Sequence, residues 1–275
     1  TEVQIAPIDV QYQSAPLLKR MLTNFAGPMN NFILGIAVFI AIAFVQGGVT
    51  VNESRLGEIQ PDSPAEAAGL RENDEVLAVN GDATADWTEL VTSIQANPGN
   101  QITLTVVTDG EEARDVLVTP DTKTDEQGNE YGLIGVAVPM DRTLMAKISY
   151  GFKEFWVIAT SIFGLVFAMF RTGFQADSFG GPVAIYAATE QVVDYGFLSV
   201  LSFLAYLSIN LGVVNLLPIP ALDGGKLLLN LVEGIRGKPL DPEKEGIITA
   251  IGMGLLLLLM VIVTWNDIQR FFFGQ

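Results

Sequence analysis

The sequence predicts a multi-domain membrane protein, with an α-helical transmembrane core and one inserted α+β domain. Two observations support this class. The 275-residue chain is 49% hydrophobic yet carries a formal net charge of −16, and the two properties occupy different parts of it. Asp and Glu are dense between residues 49 and 147, whereas the flanks contain long uncharged apolar runs. A helix needs about 20 mostly apolar residues to cross a bilayer, so we expect the flanks to form the core and the acidic block a soluble domain.

The composition also excludes several classes of function. A strongly acidic soluble block argues against nucleic-acid binding, which needs a basic surface. The chain has no cysteine, so disulfides and thiolate chemistry are excluded. It has no histidine either, so a metal site built from this chain alone would lack imidazole ligands.

Three apolar runs are long enough to be transmembrane spans. The first is introduced by Gly27-Pro28 and followed by Gly47-Gly48, and proline at the start with glycine after the end is typical of a helix. The predicted spans are residues 29–46, 195–222 and 246–266.

A fourth apolar run, Phe155–Phe170, is shorter and is bracketed by charges. Cytoplasmic loops near spans are enriched in Lys and Arg. Lys19 and Arg20 precede the first span, and four basic residues lie between the last two spans. They are Lys226, Arg236, Lys238 and Lys244. Both basic segments are cytoplasmic only if an even number of crossings separates them, so we predict that the fourth run does not cross.

The remaining boundaries follow from this order. The acidic domain is then external, because it lies between an outward and an inward span. The predicted segments are a cytoplasmic lead-in 1–28, an external domain 49–122, a connector 123–150, an interfacial or re-entrant helix 151–172, a connector 173–194, a cytoplasmic loop 223–245 and a tail 267–275.

Short strands and two helices are predicted in the external domain. Strand patterns occur at Leu56–Ile59 and Glu75–Val79, and Asn80-Gly81 is a turn signal directly after the second strand. The remaining predicted elements are a helix Ser63–Leu70 with Ser63 as N-cap, a helix Thr84–Ala96, and a hairpin joining Gln101–Thr108 to Glu112–Thr119 through Asp109-Gly110.

This domain resembles a bacterial, circularly permuted PDZ domain. The matching segments are Pro64-Ala65, Ala68-Gly69-Leu70, Asn73-Asp74 and Val79-Asn80-Gly81. The resemblance implies an edge groove that receives an extended peptide by strand addition. A folded plug that shields a site and binds no peptide terminus fits the pattern equally well.

The segment from Asn210 to Gly225 carries the most chemical information. Asn210 and Asn215 lie towards one end of a predicted span, where polar groups are costly and are functional by default. Pro218 and Pro220 should break the helix after Leu216. The segment ends with Asp223, Gly224 and Gly225.

Asp223 is a candidate metal ligand at the resulting turn. Hydrolytic zinc takes three protein ligands and keeps a fourth position for water, and nearby asparagine amides can hold a substrate carbonyl. The alternative is structural: Asp and Gly after Pro commonly mark a turn or a helix cap, and Asn can hydrogen-bond between helices. From spacing alone the two interpretations have equal weight.

Several motifs, in order along nearly the whole chain, resemble the site-2 protease family of intramembrane zinc metalloproteases, the RseP/RasP/Eep group. The helix-breaking motif is Asn215 with Pro218, Pro220 and Leu222-Asp223-Gly224. Further matches are Phe25-Ala26-Gly27-Pro28 with Asn30-Asn31, Gly180-Gly181-Pro182-Val183, and the tail Thr264-Trp265-Asn266-Asp267. A single PDZ-like domain and this tail are most similar to the Gram-positive members.

The resemblance implies specific roles. Asp223 would be the third zinc ligand, and Asn210 and Asn215 would position the substrate strand. The family's other two ligands and its catalytic base come from a His-Glu-x-x-His on a first transmembrane helix, which this sequence does not contain. We therefore expect the chain to be the C-terminal portion of such an enzyme and to be inactive alone.

The implied activity is cleavage of transmembrane segments in a bacterial cell membrane, on substrates such as anti-sigma factors and signal-peptide remnants. Expected partners are the lipid bilayer, transmembrane protein substrates and a peptide at the PDZ groove. The alternative is a non-catalytic PDZ-bearing membrane scaffold, which would be indifferent to Asp223 and would bind no metal. A transporter is a weaker third hypothesis, because the sequence shows no inverted repeat.

Overall fold

A computed structural model of the chain describes residues 14–108, 111–173 and 180–273. The predicted lead-in, second connector and tail each include positions outside these ranges, as does the Asp109-Gly110 turn. The chain divides into two compact units, a middle unit of residues 46–147 and a second unit formed by both flanks.

The flanking unit is helical and the middle unit contains the strands. The described helices are α1 (Leu17–Val45), α2 (Pro64–Ala67), α3 (Trp87–Gln95), α4 (Leu144–Thr172), α5 (Pro182–Asp194), α6 (Phe197–Leu216), α7 (Asp223–Arg236) and α8 (Pro242–Phe273). The described strands are β1 (Val49–Thr50), β2 (Glu75–Val79), β3 (Asp82–Ala83), β4 (Ile102–Val107), β5 (Arg114–Val118), β6 (Asp121–Thr124), β7 (Glu130–Leu133) and β8 (Met140–Asp141). A helical core with an inserted α+β domain is the class that the sequence predicts.

Four helices in the described part of the chain are long and apolar enough to cross a membrane, whereas the sequence predicts three spans. They cover Leu17–Val45, Leu144–Met169, Phe197–Leu216 and Glu243–Phe271. The run Phe155–Phe170 lies inside α4, which extends beyond it on both sides. Its shortness therefore does not argue against a crossing, and the three-span arrangement now depends on loop charge alone.

The first helix begins earlier than the sequence predicts. Pro28 was expected at its start, but α1 begins at Leu17 and contains Pro28 in its interior. Proline there removes one backbone hydrogen bond, yet Pro28 is fully buried against α6. Tertiary packing therefore outweighs the local preference, and α1 extends back from the predicted span into the predicted lead-in 1–28.

Two segments predicted as a loop and a connector also contain helices. The segment 223–245 includes α7, which has Asp223 in its first turn, Arg236 in its last turn and a left-handed Gly237 as its C-cap. These are ordinary helix signals. Helix α5 lies in the segment 173–194, and its proline occupies the first turn, where proline is tolerated.

The core of the flanking unit lies between α1, α4 and α6. Its buried side chains are Phe32, Phe39, Ile42, Ile158, Ala159, Ala205, Ile209 and Val213. Glycines allow the helix backbones to approach closely, since a Cβ atom on Gly35 would lie 3.2 Å from the carbonyl oxygen of Ala205. Small residues at such crossings are the usual means of packing helices in a membrane.

The middle unit is built on a four-stranded antiparallel sheet in the order β3-β2-β4-β5. Strand β2 has the predicted bounds. The Asn80-Gly81 turn joins it to β3, and both turn residues have positive φ. The predicted cap of the first helix is also present, with the Ser63 hydroxyl accepting a hydrogen bond from the amide of Glu66 at 3.2 Å.

Two predicted elements of this unit differ from the structure. Residues Leu56–Ile59 do not form a strand; the segment makes one isolated bridge, between Ile59 and Val136. Helix α3 begins at Trp87 rather than Thr84, because Asp86 caps it by accepting from the amide of Glu89 at 2.9 Å.

Candidate active site

The candidate site lies where α6 ends and α7 begins. Helix α6 stops at Leu216, as Pro218 and Pro220 predict, and Leu217 is already extended, with φ −60° and ψ 143°. Backbone hydrogen bonds between residues two or three positions apart then hold a compact turn, in which the amide of Leu222 donates to the carbonyl of Ile219 at 3.1 Å. Ala221 has φ +85°, a conformation that costs a side-chain-bearing residue about 1–3 kcal/mol and is concentrated at functional sites.

Two glycines after this turn bring α7 against it. Cβ atoms on Gly224 and Gly225 would collide with backbone atoms of residues 216–220, so only glycine fits at either position. The first turn of α7 is therefore pressed onto the break in α6, and the position of Asp223 follows from the position of that turn.

Asp223 is the first residue of α7 and is partly buried. A negative side chain in this first turn interacts favourably with the helix dipole. Its carboxylate faces α1, since a Cβ atom on Gly27 would lie 3.0 Å from Oδ2 of Asp223. The structure thus brings together Asp223 and the Gly27-Pro28 motif, which the sequence matched separately.

The two asparagines lie on α6, and both are partly buried. Asn215 is in its last turn and Asn210 lies five residues before it. Among the described residues, neither amide group makes a hydrogen bond within the chain, so both are available to an extended backbone. The structure shows no contact that joins either asparagine to Asp223.

Contacts between α6 and α1 fix the position of these asparagines relative to α1. The hydroxyl of Ser208 donates to the backbone carbonyl of Asn31 at 2.9 Å. A Cβ atom on Gly212 would lie 2.7 Å from Cδ1 of Phe32 and 3.1 Å from the carbonyl oxygen of Pro28. The helix that carries both amides is therefore seated directly on the motif that faces Asp223.

An apolar cavity of about 490 Å³ lies beside the site. Helices α1 and α7 and the turn before α7 supply its walls. The lining residues are Leu18, Met21, Leu22, Phe25, Pro218, Gly224, Leu227, Leu228 and Leu231.

The donors in this chain do not complete a zinc site. A hydrolytic zinc takes three protein ligands, and the described residues contain no group of three His, Cys, Asp or Glu side chains placed to hold a metal. Asp223 can supply one oxygen ligand, and the chain has no histidine or cysteine to accompany it.

A polar contact between α1 and α7, at the end of α7 away from Asp223, is not predicted from the sequence. The guanidinium of Arg20 donates to both carboxylate oxygens of Glu233 and, at 3.5 Å, to Oδ1 of Asn230. A signal existed in the sequence, because Asp223, Asn230 and Glu233 have the seven- and three-residue spacings that share one helical face.

Comparison with known proteins places the chain in a family. The model of Peptidase family M50 matches residues 3–259. The chain is 48% identical over 274 residues to the probable protease Eep of Enterococcus faecalis, covering 99% of this chain and 64% of that protein. It is 44% identical over 271 residues to the zinc metalloprotease RasP of Geobacillus kaustophilus, covering 98% and 64%. The chain thus spans about 64% of the length of these curated relatives.

The chain is also similar to a solved PDZ domain. A PDZ domain of an SdrC-like protein from Listeria monocytogenes is 19% identical, covers 33% of this chain and 90% of that domain, and aligns with a TM-score of 0.27. A TM-score this low carries no argument. The family match over most of the chain is decisive, and it confirms the resemblance carried by the Asn-Pro-Asp-Gly motifs: the chain belongs to Peptidase family M50, the site-2 proteases, within the RseP/RasP/Eep group.

Proposed function

We propose that this chain is the C-terminal portion of an intramembrane zinc metalloprotease that cleaves transmembrane segments of membrane proteins. The family assignment and the names of the relatives support the class of enzyme. The observation that carries the proposal is the position of Asp223, a carboxylate at a helix break in an apolar helical unit, held against Gly27 of a neighbouring helix.

Asp223 is proposed to supply one zinc ligand. The other two ligands and the catalytic base are proposed to come from a His-Glu-x-x-His helix that is not part of this sequence. Support comes from the donor set, which holds a carboxylate but no histidine. The chain alone is accordingly proposed to be inactive.

Asn210 and Asn215 are proposed to hold the substrate strand. A helical substrate must unwind before its carbonyls can react, and the unwound backbone then needs new hydrogen-bond partners. Two amides without partners in the described chain meet that need on a helix that ends at the break.

The proposed arrangement in the membrane has three spans and an external middle unit. Basic residues before α1 and between α6 and α8 support a cytoplasmic side for both segments, which leaves α4 as an interfacial or re-entrant helix. In this arrangement the middle unit is a PDZ-like domain that excludes substrates with bulky external heads and has a groove for a peptide. Anti-sigma factors and signal-peptide remnants are the proposed substrates.

Cleavage of a model transmembrane substrate by the full-length protein tests the proposal. Asp223→Ala should abolish cleavage, because the ligand set loses a member. Asp194→Ala is the matched control, since it removes an exposed carboxylate from α5, and it should leave the rate unchanged. Undiminished cleavage by Asp223→Ala would reject the ligand role, and full function of this chain alone would favour the membrane scaffold.

A further inference from the structure

The contact between the first half of α1 and α7 is polar at both ends. At one end the Asp223 carboxylate faces Gly27. At the other end both terminal nitrogens of the Arg20 guanidinium donate hydrogen bonds to the Glu233 carboxylate, and Leu17 lies against Gly234. The two helices therefore run antiparallel along this seam.

The pair Arg20–Glu233 is shielded from water. The side chains are only 12% and 15% exposed, and Asn230 beside them is 6% exposed. A bidentate Arg–carboxylate pair has a fixed geometry, and loss of one partner from a buried pair leaves the other charge uncompensated. The pair therefore fixes the position of α7 along α1 more strictly than apolar packing does.

The opposite end of α7 cannot adjust independently. Gly224 and Gly225 are pressed on the backbone between residues 216 and 220, so the first turn acts as a pivot. About 10 residues, or 15 Å at 1.5 Å per residue, separate Asp223 from Glu233. A change of tilt at the Glu233 end therefore rotates this turn about its pivot and turns the Asp223 side chain away from Gly27.

We propose that Arg20 and Glu233 are positioning residues that hold Asp223 in its place beside Gly27. The proposal rests on the proposed function for its meaning in catalysis, since Asp223 is the metal ligand there. The geometric part stands without any metal, because it concerns only the distance between the two helices.

A disulfide measurement tests the geometry in the full-length protein. Residues 1–275 contain no cysteine, so Gly27→Cys with Asp223→Cys gives one defined crosslink between α1 and α7 once all cysteines outside this range are replaced by serine. Glu233→Ala should slow formation of this crosslink about tenfold, and the charge reversal Arg20→Glu with Glu233→Arg should restore it to within about twofold. Arg236→Ala removes an exposed charge from the same helix and should have no effect.

A second crosslink separates local displacement from general unfolding. Gly35→Cys with Ile209→Cys reports the α1–α6 contact, where the two residues touch. It should form at the same rate with and without Glu233→Ala. Equal slowing of both crosslinks, or no slowing of the first, would overturn the proposal.

The link to the reaction is measured separately, with Asp223 intact. Glu233→Ala should lower the cleavage rate of the full-length protein about 100-fold, the size expected for misplacement of a reacting group by about 1 Å, and the charge reversal should recover most of it. A crosslink that responds while cleavage does not would overturn the positioning role. Failure of the proposed zinc role would leave the crosslinking result unchanged, so the two failures are distinguishable.

Discussion

Substitution of Gly212 by alanine tests the packing that seats the candidate site. The new Cβ atom would lie 2.7 Å from Cδ1 of Phe32 and 3.1 Å from the carbonyl oxygen of Pro28. Phe32 is only 9% exposed, so its ring has little room to move away. Gly254 in α8 offers a matched control, because a Cβ atom there meets nothing within 4 Å.

The two substitutions differ only in their surroundings. Replacing a helical glycine by alanine stabilises a helix by about 1 kcal/mol in either place, so this effect cancels in the comparison. Overpacking at a filled site costs about 1–3 kcal/mol. We therefore expect Gly212→Ala to be less stable than Gly254→Ala by about 1–3 kcal/mol. Relative to wild type, the loss in Gly212→Ala is this overpacking cost minus the stabilisation of the helix by alanine.

The assay is reversible unfolding of the purified chain in mixed micelles with increasing SDS, followed by far-ultraviolet circular dichroism. The unfolding midpoint should fall for Gly212→Ala and stay or rise for Gly254→Ala. Equal midpoints for the two variants would show that α6 is not packed on Pro28 and Phe32, and the seating of Asn210 and Asn215 would have to be revised.

Three further predictions concern carboxylates outside the candidate site. The fully buried Asp74 carboxylate accepts from the Thr108 hydroxyl and the Arg71 amide, so Asp74→Ala should destabilise the middle unit by about 1–3 kcal/mol in a denaturant titration. Asp121→Ala, at an exposed aspartate of β6, should not. The pKa of Asp125 is lowered, chiefly by the hydrogen bond from the Asn129 side chain. The Asp125–Asn129 turn should therefore be fully stabilised at pH values above 3.8, the ordinary pKa of aspartate, and should lose this stabilisation as the pH falls through the lowered pKa. Hydrogen exchange of the Asn129 amide, which donates to Asp125, measures the change. Asp267, 2% exposed, accepts from a backbone amide in the first turn of α5 at 3.0 Å, so Asp267→Ala should speed exchange of that amide, whereas Asp267→Asn should have a smaller effect.

Local signals predicted the break at the candidate site well. Pro218 and Pro220 can neither donate backbone hydrogen bonds nor fit a continuing helix, so the end of α6 at Leu216 follows from the chain itself. The same holds for β2 and for the Ser63 cap, where alternation and capping chemistry act within a few residues.

Long-range packing explains what the sequence did not show. Helix α1 continues through Pro28 because this residue is buried against α6, which no local rule anticipates. Arg20 and Glu233 are 213 positions apart, so their contact depends on how α1 and α7 pack. The four basic residues between the last two predicted spans indicate a cytoplasmic loop, although the spacing of Asp223, Asn230 and Glu233 also fits a helix with one face on α1.

Zinc binding by the full-length protein tests the central claim most directly. The metal retained after equilibration with a competing chelator would be measured for the wild type, Asp223→Ala and the control Asp194→Ala. We expect about one zinc ion per chain for the wild type and the control, and a large loss of zinc for Asp223→Ala. Equal zinc content and equal chelator resistance in all three proteins would contradict the assignment of Asp223 as a ligand.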